Sequence, residues 1–155
     1  MGLIEEAKRI KEIHPNYLIL YKSGAFYKTF GKDAYLLNML FDYDIRIVNN
    51  NIATSGFPLK SCFKVRAKIE EKEINYMVIE PRNNYDVEVK EDFGNLNKYD
   101  SQFEKAYSQN KKKKKISHIS EELILLLDTP NFKEIIRKIE DVLDEARKIQ
   151  NNWFY

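Results

Sequence analysis

The amino-acid sequence predicts a mixed α/β fold of the α+β kind, a mixed sheet of five or six strands flanked by helices, with a helical tail behind it. Three observations carry this. Apolar runs of strand length alternate with segments of helical periodicity as far as residue 90. Gly, Asn and Pro punctuate the boundaries between them. Beyond Pro130 one apolar repeat of helical spacing runs almost to the end of the chain.

Leu3, Ala7 and Ile10 recur at helical spacing over residues 3–13, and Pro15 ends that element by pushing His14 away from helical geometry. Tyr17 to Tyr21 is apolar on both faces, as a central strand covered by helices must be. After Gly24, a hairpin turn, the strand Ala25 to Phe30 sets Phe26, Lys28 and Phe30 on one face and Tyr27 and Thr29 on the other. Gly31 and Asp33 introduce a helix over 33–42 with Ala34, Leu37, Leu40 and Phe41 along one side. Ile45 to Val48 is a short β-branched strand, Asn49-Asn50-Asn51 a turn, and Ile52 to Ser55 a further strand leading into Gly56-Phe57-Pro58. Residues 59–73 form a helix with Cys62, Val65 and Ile69 inward and Lys60, Lys64, Lys68 and Lys72 repeating every four residues outside. Ile74 to Glu80 is a buried strand and Tyr85 to Lys90 a half-exposed edge strand.

The expected domains are a module over 1–92, a polar, lysine-rich linker over 93–116 and a helical tail over 117–155. Lys111 to Lys115 form five consecutive cations that cannot pack, so that run is read as a solvated linker, although Phe103 and Tyr107 before it hint at one helical turn or two. In the tail, Ser120 to Leu127 and Pro130 to Trp153 are helical. Thr129 is placed to cap the second helix with Pro130 at its first position. Ile135, Ile139, Val142, Ala146, Ile149 and Trp153 follow at spacings of four, three, four, three and four, a seam for another helix. The expected partner of that seam is a second protein or another copy of this chain, and the competing expectation is that the helix folds back onto the rest of the protein.

The net charge of +2, from 26 basic and 24 acidic residues, hides an uneven distribution: residues 1–100 carry 15 basic and 15 acidic side chains, residues 101–155 carry 11 and 9. One cysteine, Cys62, excludes an internal disulfide and a cysteine-based zinc site, and with no signal-peptide pattern a cytoplasmic location is expected. No apolar stretch approaches the ~18 residues of a membrane span. Enzyme motifs are absent: Gly24 and Gly31-Lys32-Asp33 lack the spacing and the hydroxyl of a phosphate-binding loop, and His14 and His118 have no shared setting. The expectation is a non-enzymatic protein without cofactor or metal.

The combination Tyr17-Leu-Ile-Leu-Tyr, then Gly24-Ala25-Phe26-Tyr27-Lys28-Thr29-Phe30-Gly31-Lys32-Asp33-Ala34, then Gly56-Phe57-Pro58 and Met77-Val78-Ile79-Glu80, resembles the N-terminal mismatch-recognition domain of the bacterial repair protein MutS. The resemblance covers roughly residues 5–90, so no connector, lever, clamp or ATPase domain is expected. It implies that Phe26 matches the phenylalanine that wedges from the minor groove onto a mispaired base. The glutamate that hydrogen-bonds the base two positions on is here Lys28, which offers donors only and adds a charge attracted to phosphate. Small stand-alone relatives occur beside retroelement reverse transcriptases, which implies an accessory role. The function expected is therefore a non-catalytic nucleic-acid-binding accessory protein engaging distorted or mispaired duplex or hybrid, DNA or RNA. Its contacts would be Phe26, Lys28, Thr54, Ser55, Lys60, Lys64 and Lys68. The alternative is a protein-interaction adaptor with a degenerate recognition site.

Overall fold

A computed structural model describes residues 2–49 and 51–152, and the chain divides into two compact units, residues 1–112 and 113–155. The first holds a six-stranded sheet. In chain order its elements are α1 (Leu3–Ile13), β1 (Leu18–Ser23), β2 (Phe26–Phe30), α2 (Lys32–Phe41), β3 (Arg46–Val48), β4 (Ile52–Pro58), a 3₁₀ turn Leu59–Ser61, α3 (Cys62–Glu71), β5 (Tyr76–Glu80), a second 3₁₀ turn Pro81–Asn83 and β6 (Asp86–Glu91). The helix α4 (Leu96–Leu125) begins in this unit, and α5 (Phe132–Asn152) lies in the second. The expected mixed sheet and flanking helices are therefore present.

The strand order is β3-β4-β2-β1-β5-β6. β1 and β5 pair in parallel, with Leu18 opposite Tyr76, Ile19 opposite Met77 and Leu20 opposite Val78, and these six residues are at most 2% exposed. They alternate between two apolar layers. Leu18, Leu20, Tyr76 and Val78 pack with Leu36 and Leu37 of α2, Val65 and Ile69 of α3, and Tyr99 and Ala106 of α4. Ile19, Tyr21, Met77 and Ile79 pack with Ala7 and Ile10 of α1. Two covered faces explain why both strands read as unbroken apolar runs. At the hairpin, Ser23 faces Phe26 across the two-residue loop Gly24-Ala25, and Gly24 has φ +62°, the left-handed conformation such a loop needs at its first position.

The β1–β2 ladder runs from Ser23 opposite Phe26 only as far as Tyr21 opposite Lys28. Beyond it the Ile19 amide donates instead to the Asp33 carboxylate (Oδ2, 3.1 Å) in the first turn of α2. The other oxygen of Asp33 accepts from Lys11 Nζ (2.8 Å) and from the Tyr99 hydroxyl (2.5 Å), and Lys11 also donates to the Tyr17 carbonyl (2.6 Å). One carboxylate, 2% exposed, thus joins α1, β1, α2 and α4.

Residues 93–116, expected as a polar linker, are helical from Leu96 onward and belong to α4. The correction has a simple cause. Tyr99, Phe103 and Ala106 recur at intervals of four and three, so one narrow stripe reaches the core while most other positions are polar. Tyr35 of α2 meets Phe103 and Tyr107 edge-on at ring distances of 6.2 and 5.3 Å. The lysine run prolongs this helix because lysine is a good helix former and all five side chains stay exposed. The compact unit extends to residue 112 and so includes the start of α4.

In the second unit, α5 begins at Phe132, two residues later than expected. Thr129 Oγ1 donates back to the Leu126 carbonyl (2.7 Å), so it closes the preceding turn instead of capping α5, and Pro130 is not the first helical residue. Ile135 and Ile139 are half-buried, Val142, Ala146 and Ile149 are exposed, and Trp153 lies outside the described residues, as does Asn50 of the expected turn.

Replacing Asp33 by alanine strands the Lys11 ammonium and the Ile19 amide, and a loss of about 3–5 kcal/mol is expected in urea unfolding, whereas Tyr99→Phe, which removes one donor, should cost about 1–3 kcal/mol. Alkali is expected to unfold the protein for a separate reason. Burial raises the hydroxyl pKa of Tyr21, Tyr27 and Tyr99 well above the ordinary value, and that of Tyr76 to about 12. Below about pH 10 both states keep these protons; above it the unfolded chain loses them first, so stability falls. Lys11, whose pKa burial lowers, acts in the opposite sense, but as one group against four. Melting temperatures recorded from pH 8 to 11 should decline above 10.

Candidate nucleic-acid interface

α1 covers β1 and β5 but leaves the same face of β2, β4 and β3 uncovered. Strand alternation decides what this open face displays. On β2 the burial pattern runs exposed, buried, exposed, buried, half-buried, so Phe26, Lys28 and Phe30 point one way and Tyr27 and Thr29 the other. Antiparallel register sets Pro58, Gly56 and Thr54 of β4 beside them, and Arg46 of β3 beside Thr54. The result is an open trough of about 1130 Å³ floored by β2, β4 and β3 and walled by residues 2–8 on one side and 43–49 on the other. That exceeds the roughly 300–1,000 Å³ usual for a small-molecule pocket.

Phe26 is 51% exposed on this floor, two residues from the exposed Lys28. Such a large exposed aromatic on a strand is left uncovered by any other element of its own unit, whereas its neighbour Tyr27 stacks on Phe57 at a ring distance of 5.3 Å in the core. Gly56 lies directly opposite Lys28, and a Cβ there would come within 2.5 Å of the Tyr27 carbonyl oxygen. Bare backbone at 56 is therefore what lets β2 and β4 approach so closely under Lys28.

The expected contact residues do not all gather here. Thr54 lines the trough, with its hydroxyl donated to the Thr29 carbonyl (2.9 Å). Ser55 is also among the residues lining the trough, but one residue along the strand its side chain turns to the opposite face and is 5% exposed. Lys60 follows Leu59, whose amide donates to the Ala25 carbonyl (3.0 Å), and so stands at the Phe26 end of the sheet. Lys64 and Lys68 lie on α3, which packs against the other layer, and Lys68 is ion-paired with Glu71 (3.4 Å). A single surface holding Phe26 and the whole lysine stripe is thus not formed.

Two cations that sequence reasoning missed share the trough with Lys28, namely Lys8 of α1 and Arg46 of β3. Neither these nor Lys28 makes an ion pair with another described residue, although Glu5 and Asp44 also line the walls. The register of β3 on β4 was the missing information, because Arg46 reaches this face only through its pairing with Thr54.

The model of the family MutS domain I matches residues 1–93. The chain belongs to the MutS domain I family. No curated protein matches it. The match spans α1 to β6 and so contains the whole trough. The chain therefore carries a domain of the mismatch-recognition type, with lysine at position 28. Among the described residues no group of three or more His, Cys, Asp or Glu side chains is arranged to hold a metal, and no helix is long and apolar enough to cross a membrane.

Gly56→Val is expected to push β4 away from β2 and cost about 1–3 kcal/mol, as overpacking does elsewhere. Denaturant unfolding, with backbone amide shifts of Lys28 and Phe57 as the local reporter, checks it.

Proposed function

We propose that the protein is a non-catalytic accessory factor that binds nucleic acid duplex or hybrid across the trough, with Phe26 entering at distorted or mispaired steps. The observation that carries this reading is the half-exposed Phe26 ring on an uncovered sheet face, flanked by Lys28, Lys8 and Arg46. An apolar wedge between base steps costs unstacking energy, and that cost is lowest where a mismatch or lesion already weakens the stack. Lysine at 28 cannot accept a hydrogen bond from a base but does neutralise phosphate, so the reading is of preference for distortion with little discrimination among mismatches. Thr54 and Lys60 border the same path. The exposed apolar face of α5 adds a docking surface for a protein.

A second reading, an adaptor that keeps the fold without the recognition, is favoured by Lys28 itself and by that α5 face.

Binding to mismatched, perfect and single-stranded oligonucleotides, measured over a salt series, separates them. Phe26→Ala is expected to weaken binding to distorted duplex roughly five- to a hundredfold, from a stacking contribution of about 1–3 kcal/mol, and to change binding to regular duplex little. Lys28→Glu should weaken binding to every duplex and flatten the salt dependence by about one unit of slope. Equal affinities for wild type and both variants would leave the adaptor.

A further inference from the structure

We infer that α5 pairs antiparallel with α5 of a second copy of this chain. The inference rests on the reading of α5 as a docking surface and names its occupant. Five seam residues, Ile135, Ile139, Val142, Ala146 and Ile149, follow a heptad spacing, and Val142 and Ile149 are 64% and 61% exposed. Leu143, beside the seam, is 49% exposed. An apolar stripe of this breadth on an otherwise charged helix calls for a partner.

Charge selects the partner. Along Phe132–Asn152 five basic residues (Lys133, Arg137, Lys138, Arg147, Lys148) balance five acidic ones (Glu134, Glu140, Asp141, Asp144, Glu145), so a copy of the same helix meets no net repulsion. The two edges of the seam then select the direction. One edge carries Lys138 and Glu145, seven residues apart; the other carries Ile136, Leu143 and Gln150. In a parallel pair each edge faces the opposite kind, and the charges of Lys138 and Glu145 meet Leu143 and Gln150 of the copy. In an antiparallel pair each edge faces its own kind: Lys138 meets Glu145 of the second copy, Glu145 meets its Lys138, and on the other edge Ile136 meets Leu143. Lys138 is held in the isolated helix by an exposed pair with Glu134 (2.9 Å), a weak interaction that yields to the interface.

The seam from Ile135 to Ile149 is only ~21 Å long at ~1.5 Å per residue, so the association is reversible and depends on concentration. Its consequence for the proposed function is valency: a dimer carries two troughs, and once one has bound nucleic acid the other binds at an effective concentration set by the tether.

Light-scattering mass of the full chain across a hundredfold concentration range, with helicity by circular dichroism, is the test. Dimer formation should be lost in Lys138→Glu, which sets glutamate against glutamate at both symmetric contacts, and regained in the exchange Lys138→Glu with Glu145→Lys. A dimer that the exchange fails to restore, or a monomer at every concentration, overturns the inference. In the latter case the variant Ile139→Asp with Ile149→Asp separates the outcomes. An unchanged thermal melt leaves α5 free for a different protein, so the docking reading stands without this occupant. A lowered melt means that the helix is covered by its own chain, and both fall. None of these results touches the trough, which Phe26→Ala tests independently.

Discussion

A single buried carboxylate ties the first unit together. Asp33 receives the Ile19 amide, the Lys11 ammonium and the Tyr99 hydroxyl, and each donor comes from a different element. The Ile19 amide is the telling partner, because it belongs to the part of β1 beyond the reach of the β2 ladder. An unpaired backbone donor in the core would cost as much as a lost hydrogen bond. With Asp33 in place β2 can end at Phe30 and hand over at once to α2, and α2 is brought onto the layer where Leu36 and Leu37 meet the central strands. Lys11 carries the same constraint to α1 on the other layer. A charge this deeply buried is tolerated only because its partners are close and numerous.

The open face follows from how much of the sheet the helices can cover. α1 is 11 residues long and its apolar side consists of Ala7, Ile10 and Leu3, enough for β1 and β5. Nothing in the first unit supplies a second helix on that side, whereas α2, α3 and the start of α4 crowd the other. A sheet covered fully on one face and partly on the other must display the alternate residues of its outer strands, and here those are Phe26, Lys28, Thr54 and Arg46. Binding surfaces on rigid strands hold their side chains in fixed register, and the two-residue loop at Gly24 and the bare backbone at Gly56 fix that register here.

The second unit obeys different physics. Among its described residues it contains no strand, and the apolar stripe of α5 is half-buried up to Ile139 and exposed from Val142 onward. A helix of this length is marginal in isolation unless its stripe is buried, so the stripe is the feature most in want of an occupant. The strict heptad spacing and the separation of its two edges into charged and apolar kinds are what a helical partner would read.

Much of this was legible in the residues themselves. The apolar runs at Leu18–Leu20 and Met77–Ile79, the glycine of the hairpin, and the order of strands and helices up to residue 91 depend on local periodicity and turn chemistry, which each segment carries without its neighbours. The face shared by Phe26 and Lys28 was legible for the same reason. What the sequence could not decide were matters of long-range pairing. Arg46 and Lys8 join Lys28 only through strand register and helix placement, and Ser55 leaves that face by one step of the same register. The role of Asp33 needs donors from residues 11, 19 and 99, brought together by topology. Of the first half of α4 only a turn or two showed, at Phe103 and Tyr107, because a single stripe, Tyr99, Phe103 and Ala106, suffices to dock a helix on a finished core, while the polar remainder has the composition of a linker. Composition reports how much of a segment is solvated; only tertiary structure decides which few side chains are not.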